Sequence, residues 1–125
     1  VDVRITVPHI PDKKLVFMIT RANYEPLLKA GVRIYEYTPG FLHSKSFVSD
    51  DEIGLCGTTN MDYRSYYLHF ECGVLMYGSS IIKDMKQDYL DTLSECVEVT
   101  LQDCRRTRLP VRIAQAVLNL FSPLL

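Results

Sequence analysis

The sequence predicts an α/β fold in which a mixed β-sheet is flanked by helices. Strand-like stretches with alternating or β-branched apolar residues recur along the chain, and longer stretches with apolar residues at helical spacing lie between and after them. The chain has 125 residues, 47% of them hydrophobic, so it can bury one modest core and is too short for two ordinary domains. We therefore expect residues 1–125 to be one domain or part of one.

The N-terminal part of the chain predicts a strand followed by a helix. Residues 1–7 alternate between apolar and polar side chains, which is typical of a half-buried strand, and Pro8 ends that pattern. Asp12 is expected to cap a helix through residues 15–30, in which Pro26 marks a kink or a restart.

The middle of the chain predicts four further strands. Gly31 is expected to close the preceding helix in a left-handed conformation, because glycine adopts that conformation without steric cost. The polar residues 58–65 should form a loop between two of the strands. The four predicted strands are residues 32–37, 41–50, 52–57 and 68–77.

The C-terminal part of the chain predicts two helices. The first begins at Ser79 or Ser80 and extends over about 18 residues, because apolar residues recur at helical spacing as far as Val97. Past a basic hinge at residues 104–110, the final segment again places apolar residues on one helical face. These residues are Ile113, Val117, Leu120, Phe121 and Leu124.

The charge is distributed unevenly along the chain. The net charge is −1, which argues against a surface that is basic throughout and therefore against nucleic acid as a partner. Residues 104–125 carry +4 with no Asp or Glu, and their basic residues are Arg105, Arg106, Arg108 and Arg112. We expect the basic amphipathic segment 105–125 either to cover the core or to rest on an anionic membrane surface.

Neither the cysteines nor the scattered histidines predict a cofactor. The four cysteines form no CxxC pair, so we expect reduced thiols. His9 and His69 lack metal-ligand spacing to another His or Cys, so we assign both to structure and expect no metal or other cofactor. There is no signal-peptide pattern and no long apolar run. We expect a soluble fragment from the C-terminal end of a longer protein.

His43 and Lys45 are the strongest candidates for chemistry. They lie two residues apart in a predicted strand, so their side chains are expected to share a face. An imidazole can attack phosphorus or protonate a leaving oxygen, and a neighbouring ammonium balances the charge on the other phosphate oxygens. Such a pair is a weak signal by itself, because most His-x-Lys pairs on strands are solvated surface.

The residues that follow strengthen this signal by their spacing. Four residues after Lys45 comes Asp50, and six residues after Asp50 begins the segment 57–60, Gly-Thr-Thr-Asn. Separately, Asp50 would be explained by a turn, Gly57 by a tight bend and Asn60 by a bond to its own backbone. Together these explanations do not predict the spacing HxK(x)4D(x)6G, and the chain resembles the phospholipase D superfamily.

This resemblance implies a role for each matching residue. His43 would be nucleophile or general acid, and Lys45 and Asn60 would hold the phosphate oxygens. Asp50 would fix the loop and the electrostatics behind the site. Thr58 stands where the superfamily often has Ser, so its hydroxyl would add a phosphate donor.

Glu71 is a further candidate because it lies on a predicted apolar strand, where an ionised carboxylate needs a partner. We expect that partner to be His43, whose tautomer and orientation the carboxylate would fix. The superfamily often places an acidic residue at this distance after the Asn. The alternative is an edge position at which Glu71 is simply in water.

The chain resembles bacterial cardiolipin synthases over essentially its whole length, including the C-terminal stretch. The segments NMDYRS and LHFE are the most specific part of this resemblance. This implies one half of a phospholipase D-type catalytic unit, which transfers a phosphatidyl group between two phosphatidylglycerol molecules through a phosphohistidine. The partners would be phosphatidylglycerol, an anionic membrane surface and the missing N-terminal half, on the cytoplasmic side of the cell membrane. In many two-half members the nucleophile is in the N-terminal half, which favours His43 as the general acid.

Two other interpretations of the sequence remain open. One is a different enzyme of the superfamily, a nuclease or phospholipase in which a single half dimerises to complete the site. The other is a non-catalytic module that binds anionic lipid through the basic segment. Under the favoured interpretation the 125-residue chain alone is expected to be inactive, because it contains a single HxK motif.

Overall fold

The computed structural model describes residues 1–107 and 109–120. These residues form two compact units. The first contains Val1–Leu42 and the described residues from Glu95 onward, and the second contains residues 43–94.

Six strands and six helices are present in the described residues. In chain order they are β1 (Arg4–Pro8), α1 (Lys14–Ala22), α2 (Tyr24–Lys29), β2 (Arg33–Tyr37), β3 (Ser46–Ser49), β4 (Ile53–Gly57), α3 (Tyr63–Tyr67), β5 (Gly73–Tyr77), α4 (Ile81–Ser94), β6 (Cys96–Val99), α5 (Leu101–Arg105) and α6 (Leu109–Leu120).

The first unit is built on a three-stranded sheet in the order β1-β2-β6. β1 pairs with β2 in parallel and β2 pairs with β6 in antiparallel, so the predicted mixed sheet is confirmed. α1 packs against α6, and α2 packs against β2 and α5. Ile34 of β2 is 1% exposed, because the central strand has a neighbour on each edge and helices over its face.

A buried carboxylate organises the polar contacts of the first unit. Glu36 of β2 is 5% exposed. Its oxygens accept hydrogen bonds from Nε and Nη2 of Arg21 on α1. Glu36 Oε2 also lies 2.7 Å from His9 Nδ1. The buried Tyr24 hydroxyl also donates to Glu36, and burial followed by the Glu36 charge raises the Tyr24 pKa. These partners compensate for taking a charge out of water.

The second unit is an antiparallel sheet in the order β3-β4-β5. α4 packs against β3 and β4, and its residue Ile82 is fully buried. Gly54 of β4 lies under this helix, and a Cβ there would approach Ile82 Cγ1 to 3.2 Å. The small residue therefore lets the helix lie close to the sheet.

One prediction about the first helix was wrong, and the restart near Pro26, one of the two expected alternatives, is confirmed. The residue that precedes α1 is Lys13, without a side-chain cap, so Asp12 does not cap the helix. The chain leaves the helix at Asn23 and starts α2 at Tyr24, which places Pro26 in the first turn of α2, where a proline is tolerated. The prediction for Gly31 is confirmed, since its φ angle is +90°.

The later elements also differ from the prediction. The residues expected to be a loop contain α3, whose first turn is capped by the side chain of Asp62. The predicted helix of about 18 residues corresponds to α4, which ends at Ser94. Residues 96 and 97, which were predicted to belong to it, lie in β6. Phe121 and Leu124, expected on the last helix, lie outside the described residues. In the part of the chain that the structure describes, no helix is long and apolar enough to cross a membrane.

Candidate active site

All six predicted site residues fall in the second unit. His43 and Lys45 precede β3, which begins at Ser46, so they are not on a strand and the argument that they share a strand face was wrong. Lys45 Nζ instead donates to the backbone carbonyl of His43 at 2.8 Å. The His43 side chain is exposed and Lys45 is half-buried. An ammonium has three donors, so this contact leaves two for another ligand.

A backbone hydrogen bond brings the two parts of the motif together. The Gly57 N–H donates to the Lys45 carbonyl at 3.1 Å, next to the last strand pair of the β3–β4 ladder, in which Ser46 faces Cys56. The HxK segment therefore lies beside the start of the segment that carries Asn60. This contact gives the sequence spacing a physical basis.

Gly57 is required by a close approach of two backbones. A Cβ at this position would lie 2.4 Å from the Cys72 carbonyl oxygen and 2.6 Å from the Gly73 Cα. Both atoms belong to the backbone entering β5, so they cannot move aside as a flexible side chain would. A close contact between strands therefore explains Gly57, in place of the tight bend that was the alternative explanation from the sequence.

The loop that carries Asn60 is closed on itself by hydrogen bonds. At its base the Thr58 N–H donates to the Cys72 carbonyl at 2.9 Å, and the Cys72 N–H donates to Thr58 Oγ1 at 3.0 Å. Further along, the Asn60 N–H donates to Ser65 Oγ at 3.1 Å. Ser65 is 7% exposed, and its own N–H donates to Asp62. The backbone of Asn60 is therefore held in place from the start of α3.

Glu71 lies just before β5 and not on a strand. Its carboxylate accepts from the hydroxyls of Thr58 and Ser65, the latter at 2.7 Å, and His69 Nε2 lies 2.6 Å from Oε1. The hydrogen bonds from Thr58 and Ser65, with His69 contributing after them, lower the pKa of Glu71 to about 2. The carboxylate is therefore ionised at neutral pH.

These contacts change what is expected of Thr58 and His69. A hydroxyl has one proton, and that of Thr58 is directed at Glu71, so it is not available to a phosphate oxygen in this arrangement. The histidine in contact with Glu71 is His69, which had been assigned to structure. The sequence offered no signal for this pairing, because His69 and Glu71 lie between α3 and β5 and not on a strand, where residues two apart would share a face. The expected contact between Glu71 and His43 stays a prediction.

Asp50 occupies the turn between β3 and β4. Asp50 and Asp51 have φ angles of 52° and 59°, in the left-handed region that Asp tolerates better than most residues. The turn is closed by the Glu52 N–H, which donates to the Ser49 carbonyl at 3.1 Å. The whole of β3 lies between Asp50 and Lys45. The location of Asp50 is therefore consistent with the expected role in fixing the loop, and it does not suggest direct contact with reacting groups.

The arrangement of His43, Lys45 and the Gly57–Asn60 segment beside an antiparallel sheet defines a phospholipase D-like protein. The chain matches the family described as "Cardiolipin synthase, PLD-like domain" over residues 1–92. The chain belongs to this family.

Bacterial relatives are similar along the whole chain. A protein of Streptococcus mutans named only as uncharacterized is 43% identical over 125 residues, which are 100% of this chain and 27% of that protein. A cardiolipin synthase from a Geobacillus species is 43% identical over 99% of this chain and 25% of its own length. Cardiolipin synthase 2 of Bacillus anthracis is 42% identical over 100% of this chain and 24% of its own length. The chain thus spans about a quarter of the length of these relatives.

Proposed function

We propose that this chain supplies one half-site of an enzyme that transfers a phosphatidyl group from one phosphatidylglycerol to another, giving cardiolipin and glycerol. The observation that carries the proposal is the hydrogen bond from Gly57 N to Lys45 O, which sets the His43–Lys45 segment beside the segment of Asn60. The names of the relatives support phosphatidyl transfer as the type of reaction.

The reaction is divided into two displacements at phosphorus. In the first, a histidine nitrogen forms a bond to phosphorus, the bond from phosphorus to the glycerol oxygen breaks, and a second histidine protonates the glycerol as it leaves. In the second, a glycerol hydroxyl of another phosphatidylglycerol loses its proton to that second histidine and forms a bond to phosphorus. The bond from phosphorus to the first histidine then breaks. Following the resemblance, we assign the proton transfers to His43 and the nucleophile to the other half.

Lys45 and Asn60 stabilise the phosphate during both displacements. The two ammonium donors of Lys45 that do not face the His43 carbonyl are directed to the non-bridging oxygens, where negative charge increases in the transition state. The side-chain amide of Asn60 adds a neutral donor, and the backbone of Asn60 is already held in place by its hydrogen bond to Ser65. Asp50 fixes the turn and Glu71 the loop of Asn60, and both act as positioning residues.

The direct test uses the full-length enzyme with phosphatidylglycerol as the only lipid. We expect cardiolipin and glycerol in equal amounts, and acid-labile phosphate on a histidine after brief exposure to substrate. Loss of both products in the His43→Ala variant would support its role. Hydrolysis of DNA without a lipid product would favour a nuclease, and lipid binding without turnover would favour a non-catalytic module; either result would overturn the proposal.

The 125-residue chain by itself is expected to form no cardiolipin, because the sequence has one HxK motif and the two displacements need two histidines in suitable settings. The chain is incubated with phosphatidylglycerol over a range of protein concentrations, with the His43→Ala chain as control. Cardiolipin formed in proportion to a dimer population would contradict this prediction. It would favour an enzyme in which two copies of a single half complete the site.

The basic segment supports contact with an anionic membrane surface. α6 packs against α1, but its apolar stripe is at least half exposed at each of its positions, Leu109, Ile113, Val117 and Leu120. Arg112 adjoins this stripe and contacts Glu25 with a half-exposed side chain. A helix with exposed apolar residues and neighbouring arginines is typical of a surface-bound amphipathic helix. One face of α6 thus covers α1 while the other is available to lipid.

Replacing Arg105, Arg106, Arg108 and Arg112 by Gln is expected to weaken binding to vesicles of anionic lipid, most clearly at low salt, where charge attraction is least screened. Sedimentation with phosphatidylglycerol vesicles measures the effect. Replacement of Lys13, Lys14, Lys29 and Lys83 by Gln is the matched control, since it removes the same charge elsewhere. Equal loss in both variants would mean that overall charge and not this segment drives binding.

A further inference from the structure

His69 and Ser65 share one oxygen of the Glu71 carboxylate. Ser65 Oγ donates to Glu71 Oε1 at 2.7 Å, and His69 Nε2 lies 2.6 Å from the same oxygen. Thr58 donates to the other oxygen. The Glu71 side chain is only 14% exposed, whereas that of His69 is 41% exposed. The carboxylate is thus contacted by three side-chain donors, of which Ser65 is buried and Thr58 and His69 are exposed.

A short chain of hydrogen bonds leads from this carboxylate to Asn60. Because the Ser65 hydroxyl gives its single proton to Glu71, its lone pairs are left to accept the Asn60 N–H, which they do at 3.1 Å. If the Glu71 carboxylate turned away, the Ser65 hydroxyl would rotate, and the backbone N–H of Asn60 would lose an oriented acceptor. The position of Glu71 Oε1 therefore controls how firmly the Asn60 backbone is held.

We infer that His69 is a positioning residue for Asn60, because it holds Glu71 Oε1 where Ser65 can link it to the Asn60 N–H. The inference rests on the proposed function in one respect, that Asn60 holds a phosphate oxygen. The His69 backbone is anchored separately, since its N–H donates to the Arg64 carbonyl at 3.1 Å. The ring can therefore be replaced without loosening the end of α3.

What the cluster requires from His69 is an N–H donor at the Nε2 position. The Glu71 pKa of about 2 means that the carboxylate accepts hydrogen bonds throughout the neutral range. A glutamine side chain places an amide N–H near the position of His Nε2 and carries no charge. His69→Gln should therefore preserve the arrangement, whereas His69→Leu leaves a largely enclosed carboxylate oxygen with one donor fewer.

The test compares His69→Leu and His69→Gln in the full-length enzyme, with Phe70→Leu as a matched control because Phe70 is fully exposed on the same segment. Hydrogen exchange measures how well the backbone N–H of Asn60 is protected. Titration with inorganic phosphate measures the affinity of the site for phosphate. In His69→Leu we expect amide exchange about tenfold faster and phosphate affinity about tenfold lower, as for one lost hydrogen bond to a charged group. His69→Gln and the control should stay within about twofold of wild type.

The outcomes separate this inference from the proposed function. Unchanged Asn60 exchange in His69→Leu would overturn the positioning role, and so would a His69→Gln variant as impaired as His69→Leu. Faster exchange with unchanged phosphate affinity would overturn the link between the loop and the phosphate. If the wild-type enzyme bound no phosphate and made no cardiolipin while the Asn60 amide still responded to His69→Leu, the proposed function would fail and the positioning of the loop would stand.

Discussion

Lys45→Ala and Asn60→Ala are each expected to slow phosphatidyl transfer by the full-length enzyme by at least about a hundredfold, the usual cost of removing one donor that stabilises a charged transition state. Folding should stay close to normal. Asn60 is exposed and Lys45 only half-buried, so neither side chain contributes much packing. The measurements are kcat with phosphatidylglycerol and the midpoint of urea unfolding.

Lys86→Ala provides the matched control for these two variants. Lys86 is a half-exposed lysine of the same unit that contacts Asp51 in the turn between β3 and β4. Its removal tests whether the loss of any lysine near this hairpin slows transfer. Wild-type turnover in Lys45→Ala or Asn60→Ala, or an equal loss in Lys86→Ala, would mean that these residues do not hold phosphate.

Gly57→Ala is expected to have the largest effect on the fold of the second unit. The new Cβ would lie 2.4 Å from a backbone oxygen, so β4 and the chain entering β5 would have to separate. We expect the free energy of unfolding to fall by about 3 kcal/mol, the upper end of typical costs for overpacking. Transfer should be lost as well, because the same separation displaces the Lys45 carbonyl from the Gly57 N–H.

Two other glycines calibrate this prediction. At Gly54 the contacts of a new Cβ are side-chain atoms of α4 and β5 that can shift, so Gly54→Ala should cost less than Gly57→Ala. At Gly40 no atom lies within 4 Å, so Gly40→Ala should be nearly neutral. Urea unfolding of the three variants gives the order directly. If Gly57→Ala were no more destabilising than Gly40→Ala, the close approach would not be what requires glycine.

The sequence was informative about which residues belong to the candidate site and less so about how they are arranged. The spacing of His43, Lys45, Gly57 and Asn60 identified the motif without any structure. It could not place His43 and Lys45 before β3, because a run of mixed residues has the same local pattern inside a strand and beside it. It also could not pair Glu71 with His69, since the fold of the loop decides which histidine a carboxylate reaches.

The sequence by itself determined the α/β class, the motif and the positions of most strands, because each depends on side chains within a few residues of one another. Tertiary structure alone decided the end of α4 and the existence of β6. Residues 96 and 97 continue the helical spacing of apolar side chains, but Cys96 and Val99 lie opposite Tyr37 and Ile34 of β2. A strand is stabilised by hydrogen bonds to a neighbour that is distant in sequence, so local periodicity does not reveal it.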